Sequence, residues 1–257
     1  MTWQPTPWLL LQAAWKSSRT LRPQLPVQPF CSSGPALTFA QQHASMTSYY
    51  WLLQRQQLQS MLSAEFGFAP AGLVHTRQQM TRGIPFADGK PWQCITSWSA
   101  APRLDKTGLW LFCEQQLLQH DQLICQSRSE YLSRQRWPGA PEHKPIFVTP
   151  EYRQAPAIAS HQFKLVEGWR YAWHSGDWNP IHLASLPAKW FGLPQAIIHG
   201  MACIAWFEQS LPVPPSSIDA SFIKPIFYGQ PLALCQPEPY RWQLQQQQRL
   251  CVEITTR

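Results

Sequence analysis

The tightest constraint on the fold is a pattern written twice. Pro85-x-x-x-Gly89 and Pro225-x-x-x-Gly229 each follow a short alternating run and each lead into strand-like segments. A helical stretch stands ahead of each. Residues 48–63 set Tyr50, Leu53, Gln57 and Met61, with Leu52, Leu58 and Leu62, at spacings near three and four without Gly or Pro. Ser48 is the expected cap. Met201, Ile204, Ala205, Phe207 and Leu211 line most sides of a second helix, the pattern of one enclosed by other structure. The order helix, strand, Pro-turn and three strands therefore occurs twice. Internal duplication of an α+β unit is the expectation.

In the first copy the strands are read at residues 71–82, 92–98, 109–113 and 122–125, the last continued by Tyr131 and Leu132, with a tight connection at His120-Asp121. In the second they are read at 218–224, 231–235, 240–244 and 250–254, with Gln245–Gln248 as a hairpin connection. Proline-broken residues 1–47 are expected to form an arm that packs through Trp3, Trp8 and Trp15. Residues 135–165, carrying Pro138, Pro141, Pro145, Pro150 and Pro156, are expected to link the copies. The boundaries are thus 1–47, 48–134, 135–165 and 166–257.

Composition narrows the class. With 44% hydrophobic and 14% charged residues, 14 Trp and 25 Pro, the chain is no acidic disordered protein. Its net charge of +7 attracts anions, but the Lys and Arg are scattered, so nucleic acid is not an expected partner. Seven cysteines without a Cys-x-x-Cys, and His143 and His161 without partners at ligand spacing, point to reduced thiols and no metal. No run of 18 apolar residues suggests a membrane span, and the start of the chain lacks a signal-peptide pattern. The expected location is cytoplasmic.

The dense polar chemistry lies in residues 171–201. Asp177, Asn179 and His182 crowd around Gly176 and Pro180, and an apolar run leads on to His199-Gly200-Met201. Singly these residues suit an Asx-type loop, a packed histidine or a helix start. No nucleophile elbow surrounds Ser175, and no glycine-rich phosphate loop exists.

Ser175-Gly176-Asp177-Trp178-Asn179-Pro180-Ile181-His182, then Ala188, Gly192 and Ile198-His199-Gly200-Met201, resemble the hydratase motif of MaoC-like (R)-specific enoyl-CoA hydratases and acyl dehydratases. Ser221-Phe222-Ile223-Lys224-Pro225-x-x-x-Gly229 resembles the strand and turn that follow it, with Gln230 where the family usually has Asp. The first half is similar to the degenerate repeat of double hot-dog members through Gly72-Leu73-Val74-His75 and residues 128–134. The resemblance implies a double hot-dog fold, two antiparallel sheets each wrapped on a central helix. It also implies a cofactor-independent lyase that hydrates 2-enoyl thioesters or dehydrates (R)-3-hydroxyacyl thioesters, with acyl-CoA or acyl carrier protein as the handle. The first half lacks an Asp/His pair at this spacing, so only the second is expected to be catalytic.

In that reading Asp177 and His182 exchange protons with a water and the substrate carbon, titrating as a pair. Asn179, Ser175 and Gly176 support them. The backbone N–H groups of Gly200 and Met201, at the helix start, stabilise the thioester oxygen, and Gly200 lets it approach because no Cβ intrudes. His199, Tyr171 and Lys224 are candidate substrate contacts; core packing, or a solvated lysine, is the alternative. Arg77, Arg82 and Arg103 rank below Lys224 as phosphate contacts. A double unit is expected to stand alone or pair as a homodimer. The competing readings are a non-catalytic acyl-binding hot-dog protein and a thioesterase.

Overall fold

A computed structural model describes residues 24–37, 45–102, 109–133 and 151–257. The arm residues Trp3, Trp8 and Trp15, together with Arg103, His143 and the proline-rich stretch up to Pro150, lie outside the described residues. The chain divides into two compact units, Met1–Phe147 and Val148–Arg257.

In unit 1, β1 (Phe30–Leu37) is followed by α1 (Met46–Leu62), β2 (Leu73–Arg82), β3 (Lys90–Pro102), β4 (Leu109–Gln119) and β5 (Gln122–Ser133). All pairings are antiparallel, in the order β1-β3-β4-β5-β2. Ser45, not Ser48, caps α1: its Oγ accepts the Ser48 N–H at 3.1 Å. Helix α1 lies on the sheet through Met61, which joins Phe66, Phe68, Trp98, Leu109 and Leu111 in one cluster. Polar bridges add to it: Trp98 Nε1–H donates to Ser60 Oγ, and Gln115 Nε2–H to the Leu53 carbonyl, each at 2.9 Å. His120 and Asp121 both adopt positive φ, 49° and 61°, the geometry of a two-residue hairpin.

Unit 2 repeats the topology. β6 (Ala157–His161) comes first, then α2 (Leu165–Ser175), α3 (Ser185–Trp190) and α4 (Gly200–Gln209). β7 (Ser217–Phe222), β8 (Leu232–Glu238), β9 (Arg241–Gln246) and β10 (Arg249–Thr256) follow. The order is β7-β10-β9-β8-β6, again antiparallel. The first strand takes one edge and the second the other, as in unit 1. The enclosed helix α4 buries Met201, Cys203, Ile204 and Phe207; the Phe207 ring meets Trp242 of β9 edge to face at 5.5 Å. Gln247 and Gln248 form the second two-residue hairpin, with φ of 52° and 56°.

A pair of glutamines carries the duplication into detail. Gln119 ends β4 and grips Ala87 from both sides, accepting its N–H at 2.7 Å and donating to its carbonyl at 3.1 Å. Gln246 ends β9 and grips Phe227 in the same way, at 2.9 and 3.0 Å. Ala87 and Phe227 stand at the same place in the two Pro-x-x-x-Gly turns.

Two expectations need correction, and one helix went unread. Residues 1–47 are not all arm, because Phe30–Leu37 pairs with β3. Residues 135–165 are not all linker, because β6 pairs with β8. Residues 165–175 form a helix, α2, that was not among the elements expected from the sequence. Both strands are edges, where one side goes unpaired and proline is tolerated. Helix α2 hides its periodicity because its large apolar residues Leu165, Val166, Trp169 and Trp173 face outward. Its inner face is Gly168, Tyr171, Ala172 and Ser175. No helix among the described residues is long and apolar enough to cross a membrane.

Candidate active site

The two units differ in what separates the first strand from the enclosed helix. In unit 1 only residues 38–45 intervene; in unit 2 residues 162–199 do, and they hold the polar motif. Helix α2 ends at Gly176, which takes the left-handed conformation at φ 80° while its N–H bonds the Ala172 carbonyl at 2.9 Å. Gly168 lets the helix settle: a Cβ there would stand 2.0 Å from Tyr228 Oη.

Buried Ser175 fastens the exit. Its Oγ donates to the Tyr171 carbonyl at 2.8 Å and accepts the Asp177 N–H at 3.1 Å. Asp177 Oδ1 accepts the Asn179 N–H at 3.2 Å. The Asn179 side chain caps a 3-10 turn over Pro180–His182, with proline at its start. Asn179 thus orients Asp177 through its backbone amide, and its side chain serves the turn. The turn faces His182 back toward Asp177.

Donor atoms of Asp177, His182 and His199 all lie within 4.8 Å of one another. His182 Nδ1 lies 2.9 Å from the Ile197 carbonyl. A carbonyl only accepts, so Nδ1 carries the proton and Nε2 keeps its lone pair. His199 Nε2 donates likewise to the Asp177 carbonyl at 3.0 Å, which leaves its buried Nδ1 an acceptor with no donor among the described residues. The two imidazoles stack at 4.0 Å with 27° between planes. Burial pushes both below the ordinary imidazole value of 6.5. His199 falls to about 3, through burial and then the neighbouring His182. In His182 burial is opposed by the Asp177 charge.

The three side chains offer a donor set of the kind a metal uses. An imidazole holds zinc in its ring plane at about 2.0–2.1 Å. Nearly parallel rings 4.0 Å apart do not share a point that close. The geometry suits a neutral pair of rings over a carboxylate better than a chelate.

Helix α4 begins at Gly200 with His199 as its N-cap. Ala202 and Cys203 N–H both bond the His199 carbonyl, at 3.0 and 3.3 Å. The N–H groups of Gly200 and Met201 find no acceptor among the described residues, as expected at a helix start. Glycine at 200 also has a packing reason. A Cβ there would lie 2.7 Å from Cε1 of Phe222, so the missing side chain accommodates that ring.

His199, 2% exposed, is buried against Tyr171, whose ring lies 4.8 Å from it. Lys224 is exposed just past β7. Tyr228 was missed in the sequence. Its hydroxyl donates to the His182 carbonyl at 3.1 Å, and burial raises its pKa. Its place immediately before Gly229 reads only as turn, and its partner lies 46 residues away.

Residues 149–235 match the family described as MaoC like domain. No curated protein matches. HtdX of Mycobacterium tuberculosis is similar in structure, with a TM-score of 0.66 at 19% identity over 98% of this chain and 94% of that one. A MaoC-like dehydratase from Phytophthora capsici is similar at TM-score 0.57 and 22% identity, over 76% and 73%. An acyl-ACP thioesterase from Bacteroides thetaiotaomicron is similar at TM-score 0.62 and 11% identity, over 89% and 96%. At these identities the likeness is one of hot-dog fold. With the family match falling across the Asp177 motif, residues 149–235 of this double hot-dog chain form a MaoC-like dehydratase domain.

Proposed function

We propose that the chain is a hydro-lyase acting on acyl thioesters, adding water to a 2-enoyl thioester and removing it from an (R)-3-hydroxyacyl thioester. One observation carries the reading: the left-handed Gly176 and the 3-10 turn bring Asp177 and His182 together, with His182 Nε2 bare. In hydration, a water held by the pair loses a proton to it as the oxygen bonds C3. A proton returns from the pair to C2, and negative charge builds on the thioester oxygen between those events. The Gly200 and Met201 N–H groups are the donors for that oxygen. The step needs no further cofactor, since water and proton come and go from the same site. The acyl group arrives on coenzyme A or an acyl carrier protein, both anionic, which the net charge of +7 favours.

Mixing the purified chain with crotonyl-CoA tests this. Loss of the enoyl-thioester absorbance without free thiol is the expected result. Thiol release would mark the thioesterase that the Bacteroides neighbour brings to mind, and neither change would leave an acyl-binding protein. Asp177→Asn and His182→Ala should each lower hydration about 10²–10⁴-fold. Unchanged turnover in both would remove the proposal.

A further inference from the structure

Unit 2 exposes large apolar side chains on the segment that carries the polar motif, where the site needs none. On α2, Leu165, Val166, Trp169 and Trp173 face outward, the two indoles exposed to 46% and 63%. The Trp178 ring meets Trp169 and Trp173 edge to face at 6.0 Å each, so three indoles form a ready-made cluster. Trp190, at the end of α3, is exposed to 76%, with Phe191 beside it in sequence. Exposed apolar clusters of this kind mark interaction surfaces.

The fully exposed charges beside these rings are all cationic. Lys164, Arg170 and Lys189 are exposed. The two acids of the stretch are engaged elsewhere. Glu167 bonds His161 Nε2 at 2.9 Å and the Lys164 N–H at 2.6 Å. Asp177 bonds the Asn179 N–H. Indoles interleaved with cations on the outward half of a helix match the boundary of an anionic bilayer, where the ring lies at headgroup depth and the cation meets lipid phosphate. A protein interface would instead be expected to lose charge toward its centre.

We propose that the outward face of α2, extended by Trp190 and Phe191, docks unit 2 on an anionic lipid surface. The contact is peripheral, and it is independent of whether the site hydrates thioesters, because it is read without turnover.

The test is co-sedimentation of the full chain with vesicles of phosphatidylcholine alone, or of phosphatidylcholine and phosphatidylglycerol in equal parts. Tryptophan emission is followed in parallel. Pelleting with the anionic vesicles only, a blue-shifted emission and release by salt are the expected results. Trp169→Gln with Trp173→Gln should weaken binding about tenfold or more. Arg170→Gln and Lys189→Gln should weaken it about fivefold each, and being exposed charges they test the idea even if the tryptophan variant unfolds. The proposal is overturned if the chain stays in the supernatant, or if these variants pellet like the parent. It is also overturned if an acidic acyl carrier protein binds through Trp169 and Trp173 while vesicles do not.

Discussion

In the proposed reaction the His182 ring can take up a proton only while neutral, and two opposed effects set when that holds. Burial lowers its pKa and the Asp177 carboxylate raises it. Hydration should therefore persist as pH falls through 6.5 and decline only at lower pH. In Asp177→Asn the attraction is gone, so the His182 ring should titrate at lower pH still, which NMR of the imidazole protons reads without turnover. Gly200 makes a second prediction. Gly200→Ala pushes a Cβ against Phe222, and overpacking of this kind costs about 1–3 kcal/mol in thermal or denaturant melts. Adding Phe222→Leu should recover part of it, as a double-mutant cycle would show. Asp177 and His182 stood out in the sequence because two titratable groups share one short stretch. Tyr228 and the Ile197 carbonyl did not, because a hydrogen bond to a distant backbone oxygen leaves no spacing to read.

Two elements decide whether the pair meets. The first is the α2 cap, where Gly176 holds φ 80°. Gly176→Ala should lose about 1–2 kcal/mol of stability from the left-handed strain alone. A drop in hydration much larger than the drop in folded fraction would show that the turn also aims Asp177. The second is the Pro225–Gly229 turn, held by Gln246 at both polar groups of Phe227. Gln246→Leu leaves an N–H and a carbonyl without partners, a cost of about 1–3 kcal/mol, and it loosens the turn that carries Tyr228. The strands between the turns were readable from alternation. Helix α2 was not: its buried face holds one large residue, Tyr171, beside Gly168, Ala172 and Ser175, while its large aliphatic and indole side chains face outward.

Across the whole molecule, the repeated topology is paired with an unequal insertion. Each unit has its own apolar interior, and the proposed catalytic groups all belong to unit 2. Leu111→Ala in unit 1 should thus cost about 2–5 kcal/mol and leave the pH profile of hydration unchanged. Acid should act through unit 2. His199 is neutral when folded, with a pKa of about 3 against 6.5 in the unfolded chain. Above pH 6.5 neither state takes up a proton there. Below it the unfolded state alone does, so stability falls as pH drops from 6.5 toward 3. Melting temperatures measured across that range should decline, and less steeply in His199→Gln.

Residue order alone was enough for the duplicated α+β unit, the four-strand sets, both hairpins and the Asp177–His182 motif. Each rests on interactions between near neighbours, which leave a period or a spacing in the chain. The edge strands β1 and β6, the outward tryptophans of α2, the Phe222 ring over Gly200 and the Tyr228 contact were decided by the folded arrangement. They depend on which distant groups come to lie alongside, and a linear string does not record that.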